Sequence, residues 1–345
     1  MNVLSVCSRT LVGMVAALCI FGAGCAGAEN GQEATTSTTT SSPNTSAGQY
    51  RLGMVVHKDE PTEPGFWAVV ALGAHEAADS YNVDLEVRGD YDPGVQARIV
   101  ETMIAEGVDG LIVSLADPEA LKPALDQAAA AGVPVITINS GIDFYLEMGA
   151  LTHVGQSELT AGRAVGNRLT SMQLSGNVLC FLSESGNVGL EQRCDGVEAT
   201  YTGGEVIRIR EDLDYTRFAE MISLISGELE KGGYAAVVTL DAGDGRAAAD
   251  AVKATEVDAV VTTFDFLPPM AEDLRTGEIA FTIDQRGYLQ GYTPVQLLAE
   301  LLRDGRAPEA APVETGPFLI DATNIDAVEA ESKAIDERAF TRFSP

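Results

Sequence analysis

The stretch GVDGLIVSLADPEALKPALDQAAAAGVPVITINSG, residues 107–141, contains the unit from which the fold is built. Its first aliphatic run, Leu111–Ser114, predicts a buried strand, and Asp117-Pro118 after it predicts a capped helix with proline in the first turn. A second aliphatic run, Val135–Ile138, predicts the next strand. Strand, helix and strand in this order are typical of a parallel sheet covered by helices.

The same alternation continues on both sides of this unit. Further strands are predicted at Leu52–Val56, Val83–Val87, Val178–Phe181, Val206–Arg210, Ala236–Leu240, Ala259–Thr263 and Ile279–Ile283. Helices are predicted between them at Trp67–Ala78, Val95–Glu106, Gln192–Tyr201, Thr216–Lys231, Arg246–Thr255 and Pro268–Arg275. Roughly ten strands exceed one sheet of average size, so we expect an α/β protein of two doubly wound parallel-sheet lobes. Ligands of such sheets bind beyond the carboxyl ends of the strands.

Composition excludes several classes of function. The chain has 345 residues with 22 Lys and Arg against 51 Asp and Glu, a formal net charge of −29. Phosphate recognition needs clustered cations, so no nucleic-acid partner is expected. The three histidines and five cysteines include no paired Cys-x-x-Cys. We therefore expect no metal site. The sequence also contains no G-x-S-x-G nucleophile elbow and no P-loop lysine motif, and we expect no cofactor and no enzymatic activity.

The first residues have the pattern of an export signal. Arg9 precedes an apolar run, Leu11–Phe21, that is too short to span a bilayer and typical of a signal peptide covering residues 1–24. The small residues that follow resemble a bacterial lipobox, which predicts lipidation of Cys25. The alternative is ordinary secretory cleavage near Ala28.

Residues 25–49 are predicted to form a tether. Thr35 to Ser46 is almost entirely Thr and Ser, and such a segment buries too little apolar surface to offset its ordering entropy. We therefore expect an extracytoplasmic domain at the outer face of the cell membrane. We expect it to be a monomer and to contact the membrane only through its lipid.

Four segments carry a resemblance to a known family. They are residues 107–141, HVGQSELTAGRAVGNRL from His153, the stretch from Ala259 to Leu302, and ETGPFLIDATNID from Glu314. In this order and spacing they resemble the periplasmic ribose-binding-protein family, the type I sugar-binding proteins of ABC importers.

The resemblance implies two lobes joined by three crossovers, near Gly155, Gln285 and Gly316. The N-terminal lobe would comprise residues 50–154 and 287–314, and the C-terminal lobe residues 155–286 and 315–345. It also implies capture of a small sugar or polyol by closure of the lobes, and delivery to an ABC permease.

Four site residues are implied in the N-terminal lobe. Phe66 and Trp67 match the aromatic pair that sandwiches the sugar ring in the family, since flat rings pack well on pyranose C–H groups. Asn139 and Ser140 stand where many members have Asp-Arg. Trp67 has an alternative interpretation as the first core residue of its helix.

The C-terminal lobe and the second crossover supply the remaining implied ligand-binding residues: Arg193, Tyr215, Asp241, Asp265 and Gln285. A register shifted by two residues would replace Arg193 with Glu191. Asp241 and Asp265 have a simpler interpretation as helix caps, since Asp is common at that position.

Several alternatives stay open. Residues 243–248 contain G-x-G-x-x-A after a strand, the dinucleotide fingerprint of an NAD-dependent dehydrogenase. Within binding proteins, the ligand could instead be a nucleoside or a furanosyl signal, and the protein a sensor subunit for a membrane kinase. Cys180 and Cys194 could form a disulfide outside the cytosol, a question that the sequence leaves undecided.

Overall fold

A computed structural model describes residues 49–59, 61–213 and 217–343. The described residues all belong to one compact unit, Gly48–Pro345. The predicted signal, Cys25 and nearly all of the predicted tether therefore lie outside the described residues, as does Tyr215.

Strands and helices alternate from the first described strand onward. In chain order they are β1 (Arg51–Val56), α1 (Phe66–Tyr81), β2 (Asp84–Gly89), α2 (Pro93–Ala105), β3 (Gly110–Ser114), α3 (Pro118–Ala131), β4 (Val135–Ile138), β5 (His153–Gly155), α4 (Glu158–Ser171), β6 (Asn177–Leu182), α5 (Val188–Thr200), β7 (Val206–Arg210), α6 (Phe218–Leu229), β8 (Tyr234–Thr239), α7 (Ala242–Thr255), β9 (Val260–Phe264), α8 (Ala271–Thr276), β10 (Phe281–Asp284), α9 (Gly287–Asp304), β11 (Val313–Glu314), β12 (Phe318–Asp321) and α10 (Ile325–Phe343).

The strands form two sheets, which confirms the predicted two-lobed α/β fold. The first sheet has the order β11-β5-β4-β3-β1-β2 and the second has the order β12-β10-β9-β8-β6-β7. Neighbouring strands pair in parallel, except that β12 runs antiparallel to β10. The chain passes between sheets three times, after β5, β10 and β11. We call the first sheet with α1, α2, α3 and α9 the first lobe, and the second sheet with α4 to α8 the second lobe.

Two helices of the first lobe begin at the predicted Asp-Pro caps. Asp92 Oδ1 accepts a hydrogen bond of 2.8 Å from Val95 N, and Asp117 Oδ1 accepts one of 2.9 Å from Ala120 N. Each bond satisfies one of the amides that have no partner within the first turn. Both helices therefore begin directly behind the carboxyl end of a strand.

The structure differs from the predicted elements in a few places. Helix α7 begins at Ala242, ahead of the predicted Arg246, because Asp241 caps it and accepts a hydrogen bond of 2.7 Å from Gly243 N. The predicted helix from Pro268 is a 3₁₀ turn, Pro268–Met270, that leads into α8.

Small residues set the distance between packed helices. A Cβ at Gly291 of α9 would lie 1.9 Å from the carbonyl oxygen of Val70 in α1. A Cβ at Gly162 of α4 would lie 2.0 Å from the carbonyl oxygen of Arg193 in α5. Each helix pair therefore needs glycine to cover its sheet closely.

Two further features tie elements together. Cys180 of β6 and Cys194 of α5 form a disulfide with a Cα–Cα distance of 6.1 Å, so the structure joins the two thiols that the sequence left undecided. Helix α10 contacts both lobes: its Asp326 pairs with Arg275 of α8, and its Arg338 pairs with Glu76 of α1. In the part of the chain described, no helix is long and apolar enough to cross a membrane.

Candidate functional site

The loops after six parallel strands surround a cavity of about 420 Å³ between the lobes, which we call the interlobe cavity. The first lobe contributes residues that follow β1, β2 and β3, and the second lobe residues that follow β6, β7 and β8. The lining polar side chains are His57, Tyr91, Asp92, Gln96, Asp117, Ser183, Glu184, Ser185, Asn187, Asp212, Asp241 and Asp244. The cavity therefore lies at the edge of the sheets where open α/β folds bind ligands.

The lobes contact each other beside the cavity. The Ser140 hydroxyl of the first lobe lies 3.1 Å from Asn187 Oδ1 of the second, and Val188 N donates to Ala116 O across the same gap at 3.0 Å. Asn187 also caps α5, because its Oδ1 accepts from Gly189 N at 3.0 Å. One asparagine thus fixes both the start of a helix and the contact between lobes.

His57 forms a neutral wall of the cavity. Its backbone N–H donates to Ser114 Oγ at 2.9 Å, and its Nδ1 lies 2.7 Å from the same oxygen. Burial, with a smaller effect from the Arg193 charge, lowers the pKa of His57 to about 3. At neutral pH this ring is an uncharged hydrogen-bonding group.

Carboxyl groups form much of the opposite wall. Asp244 is 1% exposed, and no described atom donates a hydrogen bond to its Oδ2. Burial, and then the neighbouring Asp241 charge, raise the pKa of Asp244 well above its usual value. Burial likewise raises the pKa of Glu184, although Asn187 Nδ2 donates to this carboxylate at 2.7 Å. These side chains are hydrogen-bond acceptors that lack a full set of donors.

The predicted residues of the crossovers form a buried hydrogen-bonded chain. Asn139 Nδ2 donates to Gln285 Oε1 at 3.0 Å, and Gln285 Nε2 donates to Asp265 Oδ1 at 2.8 Å. Gln290 of α9 joins the chain, because its Nε2 donates to Gln285 Oε1 at 2.9 Å. Burial raises the pKa of Asp265 well above its usual value.

The backbone at two of these positions is strained. Asn139 and Asp265 both have φ of 63°, in the left-handed region that non-glycine residues rarely adopt. Asn139 directly follows β4 in the first lobe, and Asp265 directly follows β9 in the second lobe. Such conformations cost roughly 1–3 kcal/mol and cluster at functional sites.

Arg193 is held by partners within the protein. Its Nε donates to Glu158 Oε2 at 2.6 Å, its Nη2 to Glu158 Oε1 at 3.1 Å, and its Nη1 to the carbonyl oxygen of Leu240 at 2.6 Å. The guanidinium also stacks 4.5 Å from the Phe264 ring centroid. Glu191, the alternative in the shifted register, pairs with Arg208 and Arg210.

The aromatic pair lies behind the cavity wall. The Phe66 and Trp67 rings meet edge to face at 5.2 Å, and Trp67 meets the His57 ring in the same way at 4.9 Å. Both aromatic side chains are half-buried and pack on the core of the first lobe. Trp67 therefore supports His57 rather than lining the cavity.

The structure brings some predicted residues together and separates others. Asn139, Ser140, Asp265 and Gln285 form one connected group, and Asp241 lines the cavity. Sequence reasoning missed Glu184 and Asp244 as lining residues, although both follow strands of the second sheet and so carried the signal that identified Asp241. Gln290 lies in the first turn of α9, where nothing in the sequence marked it.

Within residues 243–248, Gly245 is accounted for by packing. A Cβ at Gly245 would lie 2.8 Å from Cγ2 of Thr263 in the adjacent strand β9. The small residue in this segment therefore allows α7 to approach the sheet.

Two doubly wound lobes, three crossovers and a cavity lined from both sides define a class of two-lobed α/β proteins with a ligand cleft. The chain belongs to the periplasmic binding protein domain family, whose sequence profile matches residues 55–307.

Individual relatives agree with this membership. A carbohydrate transporter structure from Acidothermus cellulolyticus, in complex with myo-inositol, is 33% identical, with a TM-score of 0.78, over 84% of this chain and 100% of that one. The D-ribose/D-allose-binding protein of Pseudomonas aeruginosa is 28% identical over 68% of this chain and 76% of its own length. The xylose/arabinose-binding protein XylF of Sulfolobus acidocaldarius is 25% identical over 68% of this chain, and the chain spans 62% of that protein's length.

Proposed function

We propose that the protein is the solute-binding component of an ABC importer and captures a small sugar or polyol in the interlobe cavity. The observation that carries the proposal is the cavity itself, walled by carboxyl and amide groups from both lobes at the carboxyl ends of six strands. Carboxylates accept short hydrogen bonds from hydroxyl groups, and a polyol presents several hydroxyls in a small volume. The relatives named for myo-inositol, ribose, allose, xylose and arabinose point to the same class of ligand.

Ligand binding would draw the two lobes together. A ligand that contacts both walls stabilises only the form in which the lobes meet, and so shifts a hinge equilibrium toward that form. The lobes would comprise residues 50–154 with 287–314 and residues 155–286 with 315–345, and they would hinge near Gly155, Gln285 and Gly316. Ser140 and Asn187, which touch across the gap, would report the closed form. That form would then dock on a membrane permease.

Anchoring belongs to the same proposal. Residues 1–24 would direct export, Cys25 would carry a lipid, and the tether would hold the binding domain at the outer face of the membrane. Cys25→Ala should move the protein from the membrane fraction to the soluble fraction. Membrane retention of that variant would overturn the lipid anchor and leave the binding proposal intact.

A thermal-shift screen tests the binding proposal. The purified protein is melted alone and with myo-inositol, D-ribose, D-allose, D-xylose or L-arabinose, and with adenosine to represent nucleosides. A ligand present at about a hundred times its Kd adds roughly 2.7 kcal/mol of stability and raises the melting temperature by several degrees. A shift with a sugar or polyol supports the proposal. A shift with adenosine alone, or with none of the panel, contradicts it.

A further inference from the structure

The interlobe cavity has an unusual balance of charge. Among the described residues, six carboxyl groups line it, from Asp92, Asp117, Glu184, Asp212, Asp241 and Asp244, and neither Lys nor Arg does. His57, the remaining titratable base of the lining, is neutral at physiological pH for the reason given above. The nearest cations have partners: Arg193 is paired with Glu158, and Lys58 Nζ donates to the Tyr91 hydroxyl at 2.8 Å.

Most of these carboxyl groups have donors from the protein. Asp92, Asp117 and Asp241 cap helices, Asp212 Oδ1 accepts from Ser185 N at 2.8 Å, and Glu184 accepts from Asn187. Local structure therefore explains those five positions, and they do not by themselves indicate a ligand.

Asp244 differs from these five in one oxygen, although the Ser183 side chain also hydrogen-bonds to this carboxyl group. Its side chain is buried in the first turns of α7 and lines the cavity, and no described donor reaches its Oδ2. A buried acceptor without a donor lowers the stability of the folded protein, and lowers it more if the acceptor is charged. Asparagine would fill the same volume and could donate to the neighbouring carboxylates, yet the chain has an acid here. The arrangement is that of an acceptor whose donor comes from outside the protein.

We infer, on the basis of the proposed function, that the ligand is an amino-substituted sugar or cyclitol whose ammonium group binds Asp244. A hydroxyl can donate to Oδ2 but leaves the negative charge of the wall uncompensated. An ammonium group donates and also neutralises a buried charge, and hydrogen bonds between charged groups are about twice as strong as neutral ones. The other acceptors of the lining remain for the hydroxyls of the same ligand.

Matched ligand pairs test this inference on the unaltered full-length protein. Calorimetric titrations compare D-glucose and D-galactose with their 2-amino and 6-amino deoxy derivatives, and myo-inositol with an aminodeoxy-inositol. N-acetyl-D-glucosamine serves as the uncharged counterpart of D-glucosamine. We expect at least one amine to bind about tenfold to a hundredfold more tightly than its neutral parent, the range of a charge-assisted hydrogen bond.

Two variants locate the effect. In the Asp244→Asn variant, the amine and its neutral parent should bind with about equal affinity. Asp258→Asn removes an exposed carboxylate in the turn before β9, at the opposite end of the sheet, and should leave the preference unchanged. Circular dichroism and melting curves verify that each variant is folded.

The outcomes separate the inference from the proposed function. Neutral ligands that bind as tightly as their amines, or a preference that survives Asp244→Asn, would overturn the inference and leave a sugar or polyol receptor. Absence of binding by every neutral and amino ligand would overturn both.

Discussion

At the scale of single residues, Arg193 and Asp244 are two of the buried ionisable groups of the second lobe, and they have opposite relations to their surroundings. Arg193 has both a bidentate carboxylate and a carbonyl as partners, whereas Asp244 has an oxygen without any described partner. A satisfied buried charge supports the fold, and an unsatisfied one lowers stability until a ligand supplies what is missing.

Replacement of Asp244 by Asn should stabilise the protein without ligand. Burial raises the pKa of this carboxyl above its value in the unfolded chain, which is about 3.8. At pH values above this, the folded state therefore binds more protons than the unfolded state. The free energy of unfolding therefore decreases through Asp244 as the pH rises. An Asn at this position does not titrate and causes no such decrease. We expect D244N to melt at a higher temperature than the wild type at pH 7, with the difference shrinking toward pH 4. Calorimetric melting at both pH values measures it, with D258N as the control, and an equal or lower melting temperature at pH 7 would contradict the assignment.

Arg193→Ala should lower the free energy of unfolding far more than an equivalent substitution at the surface. It leaves the buried Glu158 carboxylate without its counter-charge, which costs about 3–5 kcal/mol. Arg168→Ala removes a partly exposed pair with Asp321 and should cost less than about 1 kcal/mol. Urea unfolding compares the two free energies of unfolding. Similar small losses would mean that Arg193 is free to serve the ligand, as the family resemblance implied.

At the scale of elements, aliphatic runs and Asp-Pro caps identified most strands and helices because they reflect burial and capping, which are local properties. The short strands β5 and β11 carry no such runs, and β12 has only the three apolar residues Phe318–Ile320. The pairing of these strands depends on sheets assembled from distant parts of the chain. The start of α7 was misplaced because its first turns contain only small and acidic residues, which show no apolar stripe.

The candidate site, too, could be predicted from the sequence only in part. Residues directly after a strand, such as Asn139, Asp241 and Asp265, could be predicted because topology alone brings them to one edge. Whether a side chain faces the cavity or a neighbour depends on packing, which the sequence does not display. For this reason the sequence does not decide whether Phe66 and Trp67 face the ligand, and it does not mark Asp244 as a lining residue.

Helix packing provides a matched pair of glycine substitutions. Gly291→Ala places a Cβ against the backbone of α1 and should cost about 1–3 kcal/mol, because neither helix can move without disturbing the core. Gly227→Ala, in α6, meets nothing within 4 Å and should stabilise by about 0.5–1 kcal/mol through helix propensity. Chemical denaturation of both variants checks the opposite signs. A Gly291→Ala protein as stable as the wild type would show that α1 and α9 are not closely packed.

At the scale of the whole molecule, the proposed function depends on the balance between separated and touching lobes. The contacts that join the lobes beside the cavity are few, notably the Ser140 hydroxyl with Asn187 and the Val188 amide with the Ala116 carbonyl. Because such contacts exist only when the lobes meet, each adds directly to the apparent affinity for a ligand.

Ser140→Ala should therefore weaken ligand binding about fivefold, the equivalent of one hydrogen bond of about 1 kcal/mol. The melting temperature without ligand should change little. Ser223→Ala, on the exposed face of α6, serves as the control and should bind as the wild type does. Titration of both variants with a ligand from the screen measures the effect. Unchanged affinity in Ser140→Ala would show that closure does not involve this contact.

The cavity between the lobes is proposed to bind a small polyhydroxylated molecule. Isothermal titration of the purified protein with myo-inositol, with the four named sugars and with their amino derivatives is the decisive measurement. We expect saturable binding of at least one of them with one site per chain. Flat titrations with all of them, from a protein that melts cooperatively, would contradict it.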